Sequence, residues 1–287
     1  MPSVRQIKRR IRSVENTAKI TKAMSMIAAS KMRRAQESAL RGRPYHDLMR
    51  SLLTNLAAQP HDPENLHPLL QRRDIRSALV VIITPDRGMT GGLNSNINRS
   101  AGQFVLSHRD TRMSFIAIGR KGRDFTVRTG QDVKAVFTDI GDRPTLATIL
   151  PAARMAMDAY TDREVDAVYM AYANFVNTTV QRPVVDQLLP VLPPTDEASR
   201  ITEYIYEPQS LTVLDALLPR YVEMQLYHAL LESIASEQSA RMVAMRSATD
   251  NANVMVDDLT LVMNKVRQES ITTELLDIVG GAAAIQA

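Results

Sequence analysis

The sequence predicts a mixed α/β and α+β protein, with long N- and C-terminal helices that pair as an antiparallel coiled coil and a central α/β domain between them. Glycine and proline are absent between Pro2 and Gly42 and again from Arg220 to Val279, whereas most of the 11 glycines and 14 prolines fall within residues 59–219. Apolar and small residues recur at alternating steps of three and four in both end segments, which is the spacing of a coiled-coil seam. We therefore expect two long helices that flank a compact middle.

These patterns divide the 287-residue chain into a coiled-coil helix over residues 1–58, an α/β domain over residues 59–208, and a coiled-coil helix with an apolar tip over residues 209–287. The predicted first seam comprises Val4, Ile7, Ile11, Val14, Ala18, Thr21, Ser25, Ala28 and Met32 and continues to Leu56; the predicted last seam comprises Met245, Ala248, Ala252, Met255, Leu259, Val262 and Val266. The apolar step ends after Val266, so we expect pairing to end there. Two amphipathic helices packed on one globular core are the alternative, which accommodates such long glycine-free spans poorly.

The middle of the chain alternates between strand-like and helix-like segments. The strand-like runs are Ser77–Thr84, Arg112–Ile118 and Val165–Tyr172, and helical spacing covers Leu93–Ser107 and Thr145–Tyr160. Alternation of this kind predicts a largely parallel sheet covered by helices, that is, a Rossmann-like domain.

Charge is distributed unevenly along the chain. Residues 1–58 carry 13 Lys and Arg against three acids, whereas residues 220–279 carry five bases against nine acids. The basic face of the first helix can be a solvated surface, can lie against the acidic last helix or can face acidic loops of a partner, and a mixture of the last two is favoured; it comprises Arg5, Lys8, Arg9, Arg12, Lys19 and Lys22. Nucleic-acid binding is the alternative reading of this face, but aromatic residues are only 5% of the chain and the acidic last helix would then lack a counterpart.

Several classes of site are excluded or disfavoured. The chain has no cysteine, which excludes disulfides, thiol nucleophiles and cysteine-bound metals. Its five histidines are scattered without ligand spacing, so neither a metal site nor a catalytic histidine is expected. Glycines at Asp86–Asn94 and Gly119–Gly122 follow predicted strands, but no phosphate-binding motif is present, and tight turns are the favoured interpretation. We expect no cofactor and no enzyme activity of the chain itself; a small-molecule enzyme in the middle domain is the alternative.

Several motifs resemble one known family. They are Ile20–Met24 (ITKAM), Ala28–Arg33 (AASKMR), Asp86–Asn94 (DRGMTGGLN), Ser236–Met245 (SEQSARMVAM) and Ala248–Asn251 (ATDN), followed by Asn264-Lys265, Arg267-Gln268 and Ile271-Thr272. Together they resemble the gamma subunit of F-type ATP synthases over residues 3 to 284.

This resemblance implies a rotor, the central stalk of the synthase. In that family the two end helices form an antiparallel coiled coil inside a hexamer of three alpha and three beta subunits. The middle domain lies beside the epsilon subunit and the membrane ring of c subunits. The gamma subunit couples ion flow through the ring to ATP synthesis or hydrolysis in the hexamer and does not itself perform catalysis.

The resemblance also implies contact residues. Arg241, Gln268 and Thr272 match family positions that contact the beta subunit, and Met24 matches a position beside the same region. Tyr204 and Glu207 match the foot that meets the c ring and epsilon.

We expect this chain to be a peripheral subunit at the cytoplasmic face of a bacterial plasma (inner) membrane. The Arg-rich first 50 residues are superficially similar to a mitochondrial transit peptide. Because the coiled-coil seam already runs through Val4 and Ile7, we interpret them as part of the mature protein. The longest apolar stretch is Ile278–Ile285, and about 20 residues are needed to cross a bilayer.

Overall fold

A computed structural model describes residues 3–57, 67–192 and 210–286. The chain forms two compact units: residues 1–28 with 242–287, and residues 29–241. The first unit consists of helix segments, and the second contains a sheet domain together with segments of the same two long helices.

The helices are α1 Val4–Ala57, α2 Leu93–Ser107, α3 Arg120–Arg128, α4 Leu146–Thr161 and α5 Ser210–Gln286; the strands are β1 Ser77–Ile83, β2 Arg112–Ile118, β3 Asp132–Phe137, β4 Ala167–Phe175 and β5 Gln181–Leu189. The predicted bounds of α2 and β2 are confirmed, and those of β1, β4 and α4 are confirmed to within three residues. The sequence analysis missed α3, β3 and β5. The last helix runs through Pro219 and through Gly280 and Gly281 without a break.

The five strands form one sheet in the order β3-β2-β1-β4-β5. The first four are parallel, and β5 joins β4 as an antiparallel edge strand. The central strand β1 is a continuous apolar run that is buried from its second residue onward, as expected for a parallel strand covered on both faces. The predicted Rossmann-like sheet is therefore confirmed.

Separate apolar clusters cover the two faces of the sheet. On one face, α4 and α5 pack against Leu79, Val81 and Ile83, with Leu230 and Ile234 among the contributions of α5. A second cluster covers the other face of β1 and includes α2 and the rings of Phe104 and Phe125. Its buried residues include Ala78, Val80, Ile82, Leu93, Ile97, Ala101 and Phe115, with Ala240 of α5. Since α5 contributes to both clusters, it passes from one face of the sheet to the other between Ile234 and Ala240.

In the unit of residues 1–28 and 242–287, α1 and α5 pair in antiparallel order. Thr21 Oγ1 lies 2.7 Å from Thr249 Oγ1, and Ser25 Oγ donates to the carbonyl of Met242 at 3.3 Å. A later residue of α1 thus meets an earlier residue of α5. Within this unit the predicted N-terminal seam is confirmed, since Ile7, Ile11, Ala18, Thr21 and Ala28 are all buried; the last predicted seam position, Leu56, lies outside the described side chains.

The predicted seam of α5 is wrong at Met255 and Val262, whereas its other five positions are buried or half-buried. Met255 and Val262, placed in the seam by the sequence analysis, are 53% and 48% exposed. The positions turned inward are one residue later, at Thr249, Val256 and Met263, while Met245, Ala252, Leu259 and Val266 stay within the seam. The Thr21–Thr249 contact fixes this register and places Val4 level with Val266.

We predict that replacing Gly119 by alanine strongly destabilises the sheet domain. Gly119 lies between β2 and α3 with φ +99°, and an added Cβ would lie 1.8 Å from the carbonyl oxygen of Thr84. Backbone strain together with this clash should cost about 3 kcal/mol or more, measured as the free energy of unfolding in urea. The matched control is Gly88→Ala, where no atom lies within 4 Å and the cost should stay below about 1 kcal/mol. Equal losses in the two variants would contradict the prediction.

We also predict that Thr21 and Thr249 stabilise the helix pair as a unit. Thr21→Val and Thr249→Val keep the side-chain shape and remove the interhelical hydrogen bond, so each should cost about 1 kcal/mol. The double variant should cost less than the sum by about 0.5 kcal/mol or more, measured by urea unfolding followed by circular dichroism. Thr17→Val is the control, because the Thr17 hydroxyl bonds only to Ser13 of its own helix. Strict additivity would show that the two threonines do not interact.

Candidate functional site

At the carboxyl edge of the sheet, backbone N–H groups of the glycine-rich turns are paired with side chains of the same chain. The Asp86 carboxylate accepts from the backbone N–H of Arg120 at 2.9 Å and from that of Asp139 at 2.9 Å. Thr84 Oγ1 accepts from the N–H of Gly122 at 2.6 Å. Two N–H groups in the first turn of α3, which would otherwise favour an anion, are therefore already paired. This arrangement agrees with the interpretation of Gly119–Gly122 as a tight turn.

The crevice between β1 and β4 is occupied by α5. In a doubly wound sheet, ligands bind at the carboxyl ends of the strands where the strand order reverses, and here that point lies between β1 and β4. Ser236 Oγ donates to the carbonyl of Ala173 near the end of β4 at 3.0 Å. Arg241 Nη2 donates to the carbonyl of Gly88, in the loop after β1, at 3.4 Å. The helix thus takes the place at which a nucleotide would bind.

Arg241, one of the predicted contact residues, helps to hold α5 in this crevice. Its guanidinium lies 2.7 Å from Glu237 Oε1, one turn earlier in α5, and its side chain is only 11% exposed. Burial raises the pKa of the Glu237 carboxyl, and the charge of Arg241 opposes that rise. In this structure Arg241 holds the loop after β1 against α5.

The other predicted contact residues lie in the helix pair at two levels. Met24 is half-buried on α1, and the antiparallel register places it level with Arg246 of α5. Gln268 and Thr272 are exposed, one turn apart, with the Thr272 hydroxyl donating to the Gln268 carbonyl at 2.9 Å. At 1.5 Å per residue, the level of Met24 and that of Gln268 are separated by about 33 Å. Tyr204 and Glu207, the predicted foot residues, lie outside the described residues.

Beyond the pairing, α5 is an exposed helix. Residues 267–279 are all exposed, and five large apolar side chains among them are between 47% and 67% exposed: Ile271, Leu275, Leu276, Ile278 and Val279. Since α1 begins level with Val266, this segment has no α1 residue opposite it. The predicted end of pairing after Val266 agrees with this burial. Apolar exposure on this scale is typical of a surface that contacts another protein.

The expected ion pairs between the basic first helix and the acidic last helix are not found among the described side chains of their paired segments. Within 4.0 Å, the ion pairs of the described part of the chain all join residues between 31 and 241. The six residues of the basic face are exposed: Arg5, Lys8, Arg9, Arg12, Lys19 and Lys22. The seam holds the two helices by apolar packing and two hydrogen bonds, which leaves the basic face directed outward.

The described residues contain no cluster of three or more His, Asp or Glu side chains arranged to hold a metal ion. Within the same ranges, no helix has the length and apolar character that a membrane crossing requires. The residues that sequence reasoning missed are polar and lie at the carboxyl edge: Asp86, Asp142 and Glu237. Asp86 and Glu237 lie within motifs that carry the family resemblance, but no structural role was assigned to them, and Asp142 lies in no motif.

Comparisons with known proteins match this chain to ATP synthase proteins. A family model described as ATP synthase matches residues 3–285. The ATP synthase gamma chain of Dehalococcoides mccartyi is 57% identical over 285 residues, which cover 99% of this chain and all of the relative. That of Roseiflexus castenholzii is 48% identical over 287 residues, covering 99% of each chain.

Among solved structures, a chain from the central stalk and c ring of the Tetrahymena thermophila mitochondrial ATP synthase matches with a TM-score of 0.60 and 26% identity. The match covers 80% of this chain and 99% of that one. These similarities give no support to the nucleic-acid-binding alternative. Full-length identity to gamma chains and the match of the family model establish that the chain belongs to the ATP synthase gamma-chain family.

Proposed function

We propose that this chain is the rotor of an F-type ATP synthase and passes rotation between a membrane ring of c subunits and a hexamer of three alpha and three beta subunits. The observation that supports this most directly is the end of α5, where residues 267–279 are exposed and rich in apolar side chains. A helix with this surface needs a surrounding protein surface to bury it. A sleeve formed by the hexamer supplies such a surface without a permanent bond to any one subunit.

The mechanism follows from the asymmetry of the rod. One helix pair presents a different surface to each of three surrounding beta subunits, so each subunit is stabilised in a different conformation with a different affinity for nucleotide. Turning the rod exchanges these conformations in sequence, because each orientation favours one arrangement of the three sites. The buried Ala18, Ala28 and Ala252 bring the two backbones close together, and such packing makes the pair stiff.

The contacts with beta lie at two levels of the rod in this proposal. Met24 contributes an apolar surface at the first level, and Gln268 and Thr272 contribute polar groups at the second. Arg241 belongs to the same set by its match to the family. Its bonds to Gly88 and Glu237 use only some of its five N–H donors, so the remaining ones can meet a carboxylate of beta. The outward basic face of α1 suits the acidic loops of the hexamer.

The chain contributes no catalytic group in this proposal, although the complex as a whole is a proton-transporting ATPase. Support comes from the carboxyl edge of the sheet, where Asp86 and Thr84 occupy the N–H groups of α3 and α5 occupies the crevice. Nucleotide binding in the sheet domain would require these side chains to leave their partners.

The remaining partners follow from family membership. We propose that Tyr204 and Glu207 form the foot that meets the c ring and the epsilon subunit. The complex would then hold this chain as a peripheral subunit at the cytoplasmic face of a bacterial plasma membrane, in keeping with the bacterial relatives.

The proposal predicts a defined stoichiometry. Gentle solubilisation of membranes and affinity capture through this chain should recover alpha and beta subunits at three copies of each per captured chain, measured by native mass spectrometry. A variant truncated after Val266 retains the paired rod and loses the exposed end, so it should recover less of the hexamer. Recovery of the chain without alpha and beta would overturn the proposal.

A second prediction concerns the polar contacts at the end of α5. Thr272→Val should lower the rate of ATP-driven rotation by up to roughly tenfold, because one lost hydrogen bond costs about 0.5–1.5 kcal/mol and about 1.4 kcal/mol is a factor of ten in rate. Thr273→Val is a matched control, since the Thr273 hydroxyl makes the same bond to the carbonyl four residues earlier, at 2.9 Å, from a different side of the helix. Rotation is followed with a probe on the sheet domain. Equal effects of the two substitutions would indicate a helix effect and contradict the contact.

A further inference from the structure

The loop between β3 and α4, residues 138–145, connects the sheet domain to both long helices. The two carboxylate oxygens of Asp142 in this loop contact different helices, one α1 and the other α5. Lys31 Nζ of α1 lies 2.6 Å from Asp142 Oδ2, and Gln238 Nε2 of α5 donates to Asp142 Oδ1 at 3.3 Å. Gln238 is only 3% exposed, and a buried amide without an acceptor is costly. A single side chain therefore joins α1, α5 and the loop.

The same loop holds α5 at a second point. The Tyr227 hydroxyl donates to the carbonyl of Pro144 at 3.1 Å. Tyr227 and Gln238 are eleven residues apart, which is close to three helical turns, so they lie on the same side of α5 about 16 Å apart along its axis. Two attachments on one side fix both the direction of this helix segment and its rotation about its own axis, whereas one attachment would leave a pivot.

The loop is itself anchored to the sheet. Arg120 Nη2, at the start of α3, lies 2.7 Å from both carboxylate oxygens of Asp139, and the hydrogen bond from Arg120 lowers the pKa of that carboxyl. The N–H of Asp139 also donates to Asp86 Oδ2. Asp142 thus stands on a loop that is tied to the parallel strands on one side and to two helices on the other.

We infer that Asp142 is a positioning residue for rotation: it fixes the segments of α1 and α5 within residues 29–241 at a defined angle to the sheet, so that twist applied to the sheet is passed directly to these helix segments. This inference rests on the proposed rotor function. The side chains of Lys31 and Asp142 are 33% and 45% exposed, and exposed pairs contribute under about 1 kcal/mol. Breaking the link should therefore act on torsional stiffness more than on stability.

The test measures angular fluctuation in the assembled complex. The hexamer is immobilised, a probe is attached to the sheet domain, and the variance of its angle is recorded in the pauses between ATP-driven steps. Asp142→Ala should raise this variance about twofold, because it removes one of the two hydrogen bonds that attach α5 to the loop and also the contact with Lys31. Asp142→Asn keeps an acceptor for Gln238 and loses the charge opposite Lys31, so it should give a smaller rise. The exchange of charges in Lys31→Asp with Asp142→Lys re-forms the ion pair but leaves Gln238 without an acceptor, so it should restore the variance only in part.

The control is Glu164→Ala, which breaks the ion pair between Lys134 and Glu164. That pair is similarly exposed, at 44% and 56%, with 3.2 Å between its atoms, and it joins neither long helix. Its variance should equal that of the unaltered complex. If Asp142→Ala prevents assembly, Lys31→Met tests the same link from α1.

The outcomes separate the two levels of the inference. An unchanged variance in Asp142→Ala, or one equal to that of Glu164→Ala, would overturn the role of Asp142 while the probe still turned with ATP. If the probe on the unaltered chain did not turn with ATP, the rotor function itself would fail, independently of Asp142.

Discussion

The pairing of α1 with α5 through a seam of apolar and small residues is the constraint on which the rest of the helix unit depends. α1 begins at Val4, and the Thr21–Thr249 contact places that residue level with Val266. The segment of α5 beyond Val266 has no α1 residue opposite it, and its apolar side chains are exposed for that reason. The exposed end is therefore a consequence of where the first helix starts and needs no special motif.

How far the sequence predicts this unit differs between the two helices. The seam of α1 is unambiguous near its start, because apolar positions such as Ile7 and Ile11 have charged or polar neighbours. In α5 the seam positions come in adjacent pairs that are both acceptable in a helix interface, such as Met255 with Val256 and Val262 with Met263. Periodicity cannot choose between the members of such a pair, and the choice is made by the partner helix. The second member faces inward in each case.

The sheet domain shows the same limit. The buried strands β1 and β2 are apolar along their length and are predicted from sequence, whereas β3 and β5 lie at the edges and α3 carries five charges in nine residues. Edge strands are exposed on one side, so their residues lack the apolar run that identifies a central strand. The polar links of the carboxyl edge are less visible still. Asp142 lies in a loop, and its partners Lys31 and Gln238 are 111 and 96 residues away in the sequence. Its role is therefore visible only in the folded structure.

The two units hold their parts together by different forces, and the difference suits a rotor. Among the described side chains, ion pairs lie between residues 31 and 241, where directional bonds fix loops and helices at defined angles. The paired segments of α1 and α5 are held by apolar packing, which has no preferred direction around the rod. In the proposed rotor, a rod that turns inside a sleeve benefits from a surface without fixed ionic partners, while the domain that receives the twist benefits from bonds that resist it. The crevice that nucleotide-binding members of this sheet architecture leave open is here used for that purpose, because α5 fills it and binds the loops after β1 and β4.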